Sequence, residues 1–120
     1  MNVETSIYML RMAADDPLRN EPLISVEFEV FGKVQGKTFV GVFFPKYVKD
    51  ISLELGICGW VKNTKSGTIL GKMQGPRALI DQMAQWLTKV GSPGSEIHHC
   101  EFTNWEGISR LQYKGFVIRF

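Results

Sequence analysis

The sequence predicts an α+β domain built as a split βαβ sandwich, with two helices on one face of an antiparallel sheet. Three observations carry this. Residues 25–32 alternate with period two, two later segments repeat apolar residues at helical spacing, and the elements follow as strand, helix, strand, strand, helix, strand.

In the first strand, residues 25–32, Val26, Phe28 and Val30 alternate with Glu27, Glu29 and Phe31, and Gly32 closes it. Residues 32–43 form a glycine-punctuated loop. From Phe44 to Leu55, the residues Phe44, Tyr47, Val48, Ile51 and Leu55 fall on one helical face, with Pro45 at a tolerated first-turn position and Gly56 as the stop. Strands at 57–62 and 67–74 flank the turn Asn63-Thr64-Lys65-Ser66-Gly67. Pro76 opens a second helix whose face is Leu79, Ile80, Met83, Leu87 and Val90, ended by Gly91. His98–Thr103 and Phe116–Phe120 complete the strands. This order is the ferredoxin-like arrangement, which hosts RNA binders and enzymes alike, so the fold does not name a function.

One domain is expected from 120 residues with 44% hydrophobic and 22% charged content. No apolar run reaches the ~18 residues that cross a bilayer, and residues 1–16 lack a secretory leader pattern, so neither membrane nor export is expected. Cys58 and Cys100 lack metal or redox spacing and read as reduced, mostly buried thiols of a cytoplasmic protein. Residues 1–24 hold two basic and four acidic groups and read as a flexible tail, whereas 25–120 hold twelve and eight. A mildly basic domain suits a small anion better than nucleic acid.

Two segments carry the chemistry. Gly32-Lys33-Val34-Gln35-Gly36-Lys37-Thr38 precedes a helix, and glycines let successive N–H groups converge on an anion at a positive helix end. A nucleotide P-loop needs four residues between its glycine and Gly-Lys, and here there are three. An ordinary connecting loop is the plainer reading. The second segment runs from Gly59-Trp60-Val61-Lys62-Asn63 through Gly67, Gly71 and Gly75. Asn63 either opens a turn or offers an amide that orients a water.

Together these segments resemble the acylphosphatase family over residues 25–120. Val30-Phe31-Gly32-Lys33-Val34-Gln35-Gly36 matches the family's first signature, and Gly59 through Gly75 the second, with Ile69 in place of Val. The resemblance implies hydrolysis of carboxyl-phosphate bonds by a small monomer, without metal or cofactor. It also implies that the loop backbone (Gly32, Lys33, Val34, Gln35, Gly36, Lys37) and an arginine hold the phosphate, while Asn63 positions the attacking water.

The chain departs from that pattern after Gly36. Five residues are inserted, Lys37–Gly41 or equally Gly36–Val40, and Pro45 takes the arginine's place; with the insert set further on, Val40 does. Lysine does not reproduce arginine's bidentate fork, so activity is expected to be reduced or lost. The alternative is a non-catalytic phosphate- or anion-binding or scaffold protein on the same fold. Lys33, Lys37 and Lys46 are the nearby cations, and Lys37, inside the insert, is a candidate to replace the lost charge in part. Adjacent His98 and His99 face opposite ways on a strand, and Trp60, Trp86 and Trp105 read as packing residues. Lys114–Phe120 superficially matches an RNA-binding strand signature, but it is one residue short and lies on the wrong strand.

Overall fold

The computed structural model describes residues 21–35 and 43–120. Its elements are β1 (Leu23–Lys33), α1 (Phe44–Leu55), β2 (Cys58–Asn63), β3 (Ile69–Pro76), α2 (Arg77–Gln85, continued by a π-helical turn over Trp86–Val90), β4 (Glu96–Ile108) and β5 (Phe116–Ile118). The expected tail lies largely outside the described residues. Its last two positions, Leu23 and Ile24, already belong to β1 and pair with Pro76 and Gly75.

One sheet of order β4-β1-β3-β2-β5 results. The contacts β4–β1, β1–β3 and β3–β2 are antiparallel as expected, while β5 adds to β2 in parallel. The parallel edge follows from the path of the chain. β4 ends beside Leu23, at the end of the sheet where β1 and β2 begin, so a segment crossing that end enters β5 running along β2. Gln112 secures this crossing. Its N–H donates to Gln74 Oε1 at 2.9 Å, and Gln74 Nε2 donates to Gln112 Oε1 at 2.8 Å and to Ser25 Oγ at 3.1 Å. Gln74 is fully buried, so these bonds offset its desolvation.

Alternation in β1 sorts the two faces of the sheet. Val26, Phe28 and Val30 are buried and face Met73, Gly71 and Ile69 of β3, forming the core with both helices. A Cβ at Gly71 would collide with the Phe28 ring, so the glycine is required by close packing. Phe44, Val48 and Ser52 are the fully buried residues of α1, and Ile51 and Leu55 pack, half-buried, against the core. Pro45 stands in the first turn, where an N–H has no helical acceptor, and Gly56 (φ 78°) stops the helix.

In α2, Leu79, Ile80, Met83 and Leu87 are buried as expected, but Val90 is 65% exposed. The cause is the π turn, closed by Gly91 N–H donating to Trp86 O at 3.0 Å. A π turn takes more residues per revolution than an α turn, so Val90 falls short of the core direction. The helix begins at Arg77 because Pro76 is still paired with Leu23 in the sheet. Trp86 packs on Phe44 with ring centroids 5.3 Å apart, joining the two helices.

Candidate active site

The end of β1, the first turn of α1 and the end of β2 converge on a cleft of about 320 Å³, completed by Ile118 and Phe120. Val34 and Gln35 supply one wall, Phe43 to Lys46 a second, and Asn63 a third. Asn63 is the last residue of β2 and pairs with Ile69. It shares the helix-facing side with buried Val61 two residues before it, so its amide emerges where the core gives way to solvent. No side-chain hydrogen bond ties that amide among the described residues.

Gln35 is committed elsewhere. Its Nε2 donates to the carbonyls of Thr64 and Thr68, both at 2.8 Å, which clamps the loop after β1 onto the β2–β3 turn. The turn is itself cross-braced. Thr64 N–H donates to Thr68 O at 2.9 Å, the two threonine hydroxyls lie 2.7 Å apart, and Thr68 Oγ1 donates to Glu29 Oε2 at 2.6 Å. Asn63 therefore stands at the base of a turn fastened both to β1, through Glu29, and to the loop that follows it, through Gln35. Thr64, Thr68 and Glu29 went unnoticed in the sequence; a Thr-x-x-x-Thr spacing around a glycine turn is the only signal there, and it does not point to Glu29.

The remaining expected residues divide. Gly32 lies at a register shift between β1 and β4 with φ 141°, and a Cβ there would collide with the Glu96 carbonyl. Its demand is strand packing. Lys33 is turned to Glu96 at 3.7 Å and does not line the cleft. Gly36, Lys37, the insert Lys37–Gly41 and Val40 lie outside the described residues. Pro45 and its neighbour Lys46 do line the cleft, and Lys46 Nζ lies 2.9 Å from Asp50 Oδ2. That hydrogen bond is the main reason the Lys46 pKa is raised above the usual lysine value. Phe43, just before α1, adopts a left-handed conformation (φ 38°, ψ 39°) that aromatic residues rarely take.

Other candidates lie apart from the cleft. His98 and His99 are exposed on β4, beside Glu96 at 3.5 Å and Glu101 at 3.2 Å. Trp60 carries Arg119 at 4.4 Å and Lys62 at 5.8 Å over its ring. Trp105 is half exposed beside Arg77. Cys58 is buried, Cys100 is half-buried, and neither forms a disulfide. Burial pushes the Cys100 thiol up to about 12 from an ordinary 9.0. Among the described residues no three potential ligands gather to hold a metal, and no helix is long and apolar enough to cross a membrane.

A ferredoxin-like sheet with a loop, a helix start and an asparagine around one cleft defines a class of small α+β domains with a cleft at one end of the sheet. Comparison with known proteins narrows the class. The acylphosphatase family profile matches residues 26–118. Acylphosphatase-2 of Bos taurus is 48% identical over 99 residues, which is 82% of this chain and 95% of the relative. The Homo sapiens acylphosphatase-2 is 46% identical over 83% of this chain and 96% of its own length. Among solved structures, an acylphosphatase from Coxiella burnetii superposes with a TM-score of 0.68 at 31% identity, covering 83% of this chain and 98% of that one. The chain belongs to the acylphosphatase family.

Proposed function

We propose that the chain hydrolyses acyl phosphates to carboxylate and inorganic phosphate, at a rate reduced by Pro45 in the arginine's place. The observation that carries this reading is the convergence of Asn63, the Val34–Gln35 loop and the start of α1 on one cleft. The phosphoryl group sits against the N–H groups of the loop after Gly32 and at the positive end of α1. Asn63 is neutral; its amide holds a water for attack on phosphorus without acting as a base. The water oxygen bonds to phosphorus, the bond to the acyl oxygen breaks, and the carboxylate leaves with that electron pair. The water's protons stay with the phosphate and solvent. Because the leaving group is good, positioning and charge stabilisation supply most of the barrier reduction.

Loss of one preorganised transition-state donor costs about 10²–10³ in rate, which sets the expected deficit against an arginine-bearing relative. Benzoyl phosphate hydrolysis tests the reading: slow turnover, abolished by Asn63→Ala, supports it. Phosphate binding without turnover favours the non-catalytic alternative, which the proline at position 45 motivates. We place the protein in the cytoplasm as a monomer whose partner is a small acyl phosphate, with neither nucleic acid nor membrane. Two cysteines outside any disulfide support the location.

A further inference from the structure

We propose that the Lys46 ammonium holds the phosphoryl group in place of the missing arginine, and that Asp50 competes with the phosphate for it. This rests on the acyl-phosphate reading above.

Among the described residues lining the cleft, Lys46 is the only one with a cationic side chain. It follows Pro45 directly, so its stem leaves the same first turn of α1 one position later. Three other described cations of the same end of the sheet have partners of their own. Lys33 is turned to Glu96, while Lys62 and Arg119 lie over the Trp60 ring. Lysine binds phosphate as a point charge on a flexible stem, so an exact fork geometry is not required of it.

The partners it holds, the Asp50 carboxylate and the Tyr47 ring at 5.3 Å, are easily given up. Lys46 and Asp50 are an i,i+4 pair on the surface of α1, with side chains 63% and 47% exposed. Such pairs contribute little. A phosphoryl group carrying up to two negative charges outcompetes one solvated carboxylate, and the four-carbon stem lets the ammonium move between them. Asp50 thus restrains the lysine when the cleft is empty and weakens anion binding when it is filled.

The test is a double-mutant cycle of Lys46→Met, Asp50→Asn and the pair, read by benzoyl phosphate kinetics and by titration with inorganic phosphate. Lys46→Arg serves as rescue, and Lys89→Met, in the last turn of the second helix, as a charge-loss control. Lys46→Met is expected to weaken phosphate binding and lower kcat/KM about tenfold, less than a rigid donor because lysine is solvated. Asp50→Asn is expected to tighten phosphate binding about twofold, the scale of an exposed ion pair. That gain is expected to vanish in the Lys46→Met background, and Lys46→Arg to retain binding. If Lys46→Met behaves like Lys89→Met, or the Asp50→Asn gain survives without Lys46, the proposal falls while the acylphosphatase reading stands. A parent chain that neither hydrolyses benzoyl phosphate nor binds inorganic phosphate overturns both.

Discussion

Two walls of the cleft are built to different standards. The Asn63 wall is a β-turn pinned by Gln35, cross-linked by two threonines and tied to β1 through Glu29. It stands where the chain follows the family signature without interruption. The facing wall is the first turn of α1, entered through a left-handed Phe43, with proline at position 45 and a surface lysine held by Asp50. On the function proposed above, the difference separates two duties of one site. Orienting a water needs rigidity, which a hydrogen-bonded turn provides. Gripping a phosphoryl group needs charge, and here that charge sits on a flexible stem. On the proposed reading, the domain keeps one half of a catalytic apparatus while the other half is altered.

The sharpest way to break this comparison is at Asn63. Asn63→Ala is expected to reduce benzoyl phosphate turnover by at least about 10²–10³ while leaving the thermal midpoint unchanged, because the residue is exposed and its side chain makes no hydrogen bond among the described residues. Unchanged turnover would remove the water-orienting duty from this wall. A smaller effect is expected from Gln35→Leu, which deprives two turn carbonyls of a donor. Both keep other partners in part, so the expected cost is about 1–2 kcal/mol, read as a shifted denaturant midpoint together with slower turnover. A stability loss without any kinetic change would show that the clamp holds the fold but not the asparagine.

The smallest effect lies far from both walls. Burial raises the Cys100 thiol to about 12, so the folded chain keeps a proton that the unfolded chain releases above pH 9.0. Stability from this site is complete below that pH and is lost as pH climbs toward the folded value. The difference in urea midpoint between the parent and Cys100→Ala is therefore expected to narrow above pH 9.0. A constant difference would mean that the thiol is as well solvated as in the unfolded chain.

Much of this was readable in the residues themselves. The alternation Val26, Phe28, Val30 gave the buried face of β1 directly, because a strand has only two sides. Asn63, at a strand end before a glycine turn, reads from position alone as a turn residue or a water orienter, and only the resemblance to the family's second signature singles it out for the site. What escaped notice depends on events distant in sequence. The clamp joins Gln35 to residues 29 and 33 positions away, which local periodicity does not report. The parallel pairing of β5 follows from where β4 ends, and β4 runs five residues beyond the expected Thr103. Val90 was misplaced because one π turn rotates everything after it, and its hydrophobicity is the same either way.

The central claim is that the altered wall, not the intact one, limits turnover. It is tested most directly by comparing kcat/KM for benzoyl phosphate in the parent chain and in Pro45→Arg, with and without removal of Lys37–Gly41. A gain of about 10²–10³ on restoring the arginine is expected, the range lost when such a donor is removed. Vigorous turnover by the unaltered chain, or no gain in any arginine-bearing variant, would contradict it.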